Sequence, residues 1–222
     1  MNLRRRLFWD AYAIGYDVAW DSPVTSAVSS EISLLGPFDT VVDLGCGTGL
    51  LSEHLVRPGT AVTGVDSSER MLQRALGKNR ISYGVQGEVA KTPLASSSFD
   101  CVVCANVLHL HPDPDLVIQE ASRLVRSGGL VAWVTPTAGL DQAGAVAGDR
   151  ASGRSAIASF AALTVRSLIT PFALMTGVRV RPAGQVLEKL AQTGQYGLIA
   201  ATQRTFFDSQ TLILMRKAGE DN

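Results

Sequence analysis

An α/β fold is predicted, with a seven-stranded, mostly parallel sheet, helices on both faces and an antiparallel C-terminal hairpin. Three observations predict it. From Thr40 to Thr135, short β-branched or apolar runs alternate with single helical stretches. Most of those runs are apolar at successive rather than alternate positions, as strands covered on both faces require. The first run ends in Asp43 and turns at once on Gly45, Gly47 and Gly49. Glycines are needed where the backbone must take unusual φ/ψ and approach a ligand closely.

The elements follow in order. Leu3 to Tyr16 carries aromatics and leucine at helix-compatible spacing, and Val24 to Leu35 is a second helix entered past Ser22-Pro23. Thr40 to Leu44 is the first strand, Leu50 to Val56 is helical, and Ala61 to Val65 is the second strand. Ser67 and Ser68, both good N-cap types, open a helix over Glu69 to Leu76. Ile81 to Val85 and Phe99 to Ala105 are the third and fourth strands. Asp113-Pro114-Asp115 starts a helix with a cap, a proline at the first position and acid in the first turn. Val117, Ala121 and Leu124 mark its buried face, Gly128-Gly129 is expected to stop it, and Leu130 to Thr135 is the fifth strand. A last helix spans about residues 185–192. Leu198 to Phe206 and Thr211 to Met215 read as a hairpin on the sheet edge, turning at Asp208-Ser209.

The 222 residues suit one domain, spanning 1–222, with residues 1–36 as N-terminal helices and 137–180 as a lid or substrate-binding insertion. Composition is that of a soluble globular protein, 46% hydrophobic and 18% charged. Twenty basic and twenty acidic residues cancel, so no global positive field gathers phosphates and a nucleic-acid partner is not expected. Arg4-Arg5-Arg6 reads as a solvated helix face. Those arginines run into the polar, aromatic stretch Leu7 to Tyr16 rather than an apolar leader core, and a cytoplasmic protein is expected. Cys101 and Cys104 sit three residues apart in a strand, which separates their Cα atoms by about 10 Å on opposite faces. A disulfide tolerates about 7 Å at most, so both read as core thiols. In the insertion, Ala156 to Met175 is apolar but interrupted by Arg166 and Pro171. A pocket wall fits this better than a membrane span, and no stable membrane insertion is expected.

Val41-Val42-Asp43-Leu44-Gly45-Cys46-Gly47-Thr48-Gly49 lacks the third glycine of the dinucleotide fingerprint, because position 50 is leucine. It also lacks the Gly-Lys-Ser/Thr of a phosphate loop. The stretch resembles motif I of the class I S-adenosylmethionine-dependent methyltransferases, in the branch of the ubiquinone and menaquinone biosynthesis enzymes. Three further matches follow in order between about Thr40 and Pro136. Val62 to Ser68 is similar to motif II. Gly87 to Ala90, then Thr92-Pro93-Leu94 and Ser98-Phe99-Asp100, resembles the approach to the fourth strand. Glu120 to Gly129 resembles the helix and turn before the fifth.

The resemblance implies a Rossmann-like sheet and S-adenosylmethionine as cofactor, with S-adenosylhomocysteine as product. Asp66 would accept hydrogen bonds from both ribose hydroxyls, a two-point charge-assisted contact. Glu88 would meet the adenine amino group and the Val89 amide a ring nitrogen, although aspartate is commoner than Glu88 there. Gly45 and Gly47 would pass under the methionine part, and Asp43 would reach its ammonium directly or through water. Asn106 and Val107 would line the same crevice, and Cys46, Ser67, Met71 and Gly87 complete the expected cofactor shell. Tyr12 and Tyr16 resemble aromatics that relatives bring over the cofactor, with simple packing as the alternative.

A sulfonium methyl is already activated, so the protein must mainly align the acceptor and exclude water. A base is needed only if the acceptor must lose a proton, and His109 and His111, just past the fourth strand, are the candidates. Asp113 and Asp115 explain themselves as helix-start residues, so no metal site is expected beside the histidines. No Asn/Asp-Pro-Pro-Tyr sequence follows the fourth strand; Asn106 is followed by Val-Leu-His. A small, largely apolar acceptor such as a quinone or polyketide is expected, methylated on oxygen before carbon or nitrogen. The alternatives are an S-adenosylmethionine-binding protein with a non-methylating reaction such as a cyclisation, or a non-catalytic binder. A homodimer is left open.

Overall fold

β1 (Thr40–Leu44) sits inside one sheet whose strand order is β3-β2-β1-β4-β5-β7-β6. In the computed structural model, residues 3–136, 142–168, 171, 183–206 and 210–219 are described. β2 (Ala61–Asp66), β3 (Tyr83–Gln86), β4 (Phe99–Ala105) and β5 (Val125–Pro136) run parallel to β1. β7 (Gln210–Lys217) is antiparallel to β5 and carries β6 (Leu198–Phe206) on its outer edge. The expected Asp208-Ser209 turn lies outside the described residues.

The apolar runs explain why the sheet is covered on both faces. Val42, Leu44, Val102, Cys104, Val131, Trp133, Ile213 and Met215 enter one buried cluster. Their neighbours Val41, Cys101, Val103, Ala132, Val134, Leu212 and Leu214 enter the other. Burying each such valine or leucine contributes roughly 1.5–3 kcal/mol. Cys101 and Cys104 fall in opposite clusters and both are free thiols, as their strand spacing requires.

Helix starts follow their caps. Ser22 accepts from the Thr25 amide ahead of α3 (Pro23–Leu34), and Asp113 accepts from the Asp115 amide ahead of α5 (Pro114–Leu124). Ser68 accepts from the Met71 amide at the start of α4 (Glu69–Gly77) while its hydroxyl meets Asp10 Oδ1 at 2.6 Å. Four expectations change. The N-terminal helix is two pieces, α1 (Leu3–Tyr12) and α2 (Tyr16–Trp20), because Gly15 breaks it where the Val165 side chain approaches. Leu50 to Val56 holds only a 3₁₀ turn at Ser52–His54, since the Ser52 side chain is drawn to Asp43 and Pro58 follows closely. β3 starts two residues late, because Arg80 turns its guanidinium to Asp17 and Glu53. α5 ends at Leu124, four residues before Gly128. Val125 is pulled into the sheet beside Phe99, and Arg126 pairs with Asp100 at 2.9 Å.

The insertion contributes α6 (Gln142–Ala151) and α7 (Ala156–Arg166); α7 packs on α2, and α6 packs on α7 and α3. Arg166, the interruption in the apolar run, is buried and ion-paired to Asp149 at 2.9 Å. Phe160 and Leu168, within the stretch expected to form a pocket wall, are exposed, while Val165 and Ala162 face inward. Phe172, Leu174 and Met175 lie outside the described residues. No helix among the described residues is long and apolar enough to cross a membrane. α8 (Ala183–Ala191) closes the face opposite α3, burying Val186 and Leu190.

Candidate active site

The strand order reverses between β1 and β4, and the crevice beyond their carboxyl ends is where open α/β sheets take ligands. The glycine turn lies on its floor. Gly45 and Cys46 donate to the Val65 carbonyl at 2.8 and 3.1 Å, stitching the turn to β2. Gly45 has φ +78°, and a Cβ there would sit 2.4 Å from Val107 Cγ2, with Val89 Cγ1 next. Gly47 has φ +53°, and its Cβ would be 3.2 Å from the Tyr16 ring and hydroxyl. Any side chain at either position fills the space these residues leave, in a backbone region that L residues rarely adopt. Gly45→Ala is therefore expected to keep the fold by circular dichroism and weaken S-adenosylhomocysteine binding about tenfold, from strain plus overpacking. Wild-type affinity in that variant would mean that the turn does not line the cofactor.

Two carboxylates end neighbouring strands. Asp43, 1% exposed, accepts from Ser52 Oγ at 2.6 Å through Oδ2, and its Oδ1 has no hydrogen-bond partner among the described residues. Burial pushes its carboxyl up to about 7; the Ser52 bond pulls down and Asp66 adds repulsion. Asp66 accepts from the Gly47 amide at 3.0 Å and the Ser68 amide at 2.8 Å. Burial raises its carboxyl, and those amides pull it back only in part.

Other expected residues gather around this pair. Tyr16 stands over Gly47, its phenol held above the usual range by burial and then by Tyr12 and the two aspartates. Tyr12 packs edge-on against Tyr16, shares a buried cluster with Met71, and has its phenol pushed up to about 12 by burial. Cys46 is buried, with Sγ where a Cβ on Gly64 would fall. Ser67 hydrogen-bonds Asp66, and the Gly87 amide donates to the Asp66 carbonyl at 3.0 Å. Glu88 and Val89 follow, half-buried, with the Lys91 amide on the Glu88 carbonyl at 3.2 Å. Asn106 takes φ +55° at the end of β4, its amide donating to the Val134 carbonyl at 2.8 Å.

The two histidines part company. His111 Nδ1 lies 2.6 Å from the Asp113 carbonyl and 3.1 Å from its amide, committed to the start of α5. His109 is 2% exposed, its Nδ1 has no hydrogen-bond partner among the described residues, and burial pushes its pKa down to about 4. It is a neutral imidazole at neutral pH. His54, on the 3₁₀ turn, is exposed.

Sequence reasoning missed Asp17, Thr48 and Ser52. Asp17 accepts from Thr48 Oγ1 at 2.5 Å and Arg80 Nη1 at 2.9 Å, and also pairs with Lys78, fastening α2 to the glycine turn. Burial raises its carboxyl, but the Lys78, Thr48 and Arg80 hydrogen bonds win and hold it below the usual range. Those partners lie 31 to 63 positions away, so no local pattern announces them.

Residues 42–133 match a family model described as a methyltransferase domain. The ubiquinone biosynthesis O-methyltransferase of Nitrosomonas europaea is 39% identical over 101 residues, covering 43% of this chain and 43% of that protein. That of Paracidovorax citrulli is 37% identical over 101 residues, covering 43% and 42%. The chain thus spans less than half the length of the curated relatives it matches. Among solved structures, a SAM-dependent methyltransferase of Thermotoga maritima superposes with a TM-score of 0.61 at 16% identity, covering 96% of this chain and 98% of that one. At that identity the likeness is one of fold.

Proposed function

We propose that the chain, whose residues 42–133 match a methyltransferase-domain family model, is a class I S-adenosylmethionine-dependent methyltransferase that transfers a methyl group to oxygen on a small, largely apolar molecule. The observation that carries the reading is the glycine turn held between Asp43 and Asp66, with Val107 and Tyr16 closing on positions where no side chain fits. When bound, the cofactor supplies a methyl on a positively charged sulfur, open to in-line displacement.

The protein's share follows from its own groups. Asp66, anchored by two amides, is placed to bind a vicinal diol, and the unpartnered Asp43 Oδ1 to accept from an ammonium. Gly45 and Gly47 let the backbone lie against the chain between those contacts. Tyr16, Tyr12 and Met71 form an apolar cover that excludes water. His109, neutral and buried beyond β4, can receive a proton from an acceptor hydroxyl; its low basicity confines that role to the moment of transfer. The products are then the methyl ether, the thioether and a proton passed on to solvent. The insertion 137–180 is read as the wall of the acceptor pocket, and the partner as a small molecule rather than nucleic acid.

Release of S-adenosylhomocysteine from S-adenosylmethionine, measured with a panel of phenols and hydroquinones, tests the reading. Turnover is expected with at least one of them. Asp66→Ala should lower S-adenosylhomocysteine affinity at least tenfold, the scale of one charge-assisted hydrogen bond. Consumption of an acceptor without thioether formation would instead point to a non-methylating reaction such as a cyclisation. Absence of binding by the folded protein would sink both.

A further inference from the structure

Residues 16 and 17 straddle residues 47 and 48. Tyr16 lies against Gly47, where a Cβ would fall 3.2 Å from both the ring's Cζ and its hydroxyl oxygen. Asp17, the next residue, reaches the next residue of the turn, accepting from Thr48 Oγ1 at 2.5 Å through Oδ1. Its Oδ2 takes Arg80 Nη1 at 2.9 Å and also the Lys78 ammonium. Arg80 Nη1 in turn lies 3.4 Å from the Thr48 carbonyl, and Arg80 Cβ is 2.8 Å from where a side chain on Gly49 would begin. One carboxylate therefore grips the exit of the glycine turn, directly and through Arg80, while the ring beside it covers the middle.

This clamp is what an isolated α2 lacks. The helix has five residues, about one and a half turns, and a helix that short does not persist without outside contacts. It starts at Gly15 with no side-chain cap, and Gly15 separates it from α1. The placement of Tyr16 must therefore come from tertiary bonds, and the bond nearest to it is that of Asp17 to Thr48. Burial raises the Asp17 carboxyl, but the Lys78, Thr48 and Arg80 bonds outweigh that and keep it ionised at neutral pH. Hydrogen bonds to an ionised acceptor are roughly twice as strong as neutral ones.

A wall fixed before the ligand arrives costs no ordering when it binds, so affinity rises with no new contact. We infer that Asp17 is a positioning residue of the cofactor site: clamped on Thr48, it sets the Tyr16 ring against Gly47 and so builds in advance the wall along which the cofactor's methionine part lies. In this role it acts through Tyr16 rather than on the ligand. None of the cofactor contacts proposed above uses it. The inference rests on the methyltransferase reading and deepens it, by naming what holds the cofactor wall in place.

A double-mutant cycle tests it, read by calorimetry with S-adenosylhomocysteine at pH 7.5. Tyr16→Ala removes the wall and is expected to weaken binding about tenfold, the scale of one lost aromatic contact. Asp17→Asn keeps the shape but meets Arg80 and Lys78 without a charge, and should cost about the same factor. The double variant should bind about as weakly as Tyr16→Ala alone, because Asp17 has nothing left to position. Two losses that multiply would show that Asp17 supports the site independently of the ring, and would overturn the inference. Wild-type affinity in either single variant would overturn it too.

Thr48 gives a second reading in which the charges of Asp17, Arg80 and Lys78 all stay in place, and it decides the matter if Asp17→Asn does not fold. Thr48→Val lacks the hydroxyl and should lower affinity about fivefold, whereas Thr48→Ser keeps it and should bind like the wild type. Thr48 is fully buried. A role in packing alone would reverse the order, with valine tolerated for its shape and serine impaired by the lost methyl, and that result would refute the clamp. A folded wild type that fails to hold S-adenosylhomocysteine would strike the methyltransferase reading instead.

Discussion

Asp149→Ala is expected to destabilise the protein by about 3–5 kcal/mol, the scale for removing one partner of a buried ion cluster. Asp149 Oδ2 lies 2.9 Å from Arg166 Nη1 and 3.1 Å from Arg154 Nη1, with the three side chains 3%, 7% and 9% exposed. Both guanidiniums also cap the end of α2. Arg166 Nε donates to the Ala19 carbonyl at 3.0 Å, and Arg154 Nη2 to the Val18 carbonyl at 2.6 Å. Arg166 further stacks 4.9 Å over the Trp20 ring. One carboxylate thus balances two buried cations, and its loss leaves both uncompensated. For a protein of this size each kcal/mol shifts the melting temperature by roughly 2–4 °C, so a fall of about 10 °C is expected if cap and sheet melt together. If α6 and α7 open alone, hydrogen exchange should rise across 142–168 and 16–20 while β1, β4 and β5 stay protected. Unchanged melting together with unchanged exchange would refute the role given to Asp149. Replacing all three residues by apolar ones of similar volume should recover much of the loss.

The same variant should weaken S-adenosylhomocysteine binding, because α2 joins the insertion to the glycine turn. Arg154 and Arg166 hold one end of α2, and Asp17 ties the other to Thr48, Arg80 and Lys78. None of this was legible in the sequence. Asp149 lies 17 positions from Arg166, on another helix, and the cluster exists only once α6, α7 and α2 pack. What was legible had a local cause. Asp113 could be read as a cap because the group it satisfies is two residues away. Val41 to Leu44 could be read as a doubly covered strand because both faces are apolar within one run. The glycine turn was visible because positive φ at Gly45 and Gly47 excludes other residues. The errors arose where a distant partner overrode local preference. Val125 left the expected helix to pair with Phe99, and Ser52 spent its side chain on Asp43 instead of continuing a helix.

Cofactor affinity is expected to fall about tenfold for each pH unit below 7, and Asp43 is the reason. Its carboxyl is pushed up to about 7, first by burial and then by Asp66, against the hydrogen bond from Ser52. In the unfolded chain an aspartate titrates near 3.9, so between about 4 and 7 the folded protein binds more protons than the unfolded one. The contribution of Asp43 to stability therefore declines as pH rises through that window, the reverse of a salt-bridged acid. A ligand ammonium reverses it again, because the cation meets Oδ1 only when Asp43 is ionised. Below 7 the ionised fraction drops tenfold per unit, so affinity at pH 5 should be about a hundredfold below its plateau, close to 2.7 kcal/mol. Calorimetry of S-adenosylhomocysteine in buffers of different ionisation enthalpy should detect close to one proton released per binding event near pH 6 and almost none at pH 7.6. Asp43→Asn should bind more weakly at pH 7.5, yet with a flat profile from 5.5 to 7.5, since no proton then stands between the ligand and its site. A slope that persists in Asp43→Asn would move the titrating group elsewhere and remove Asp43 from the ammonium contact.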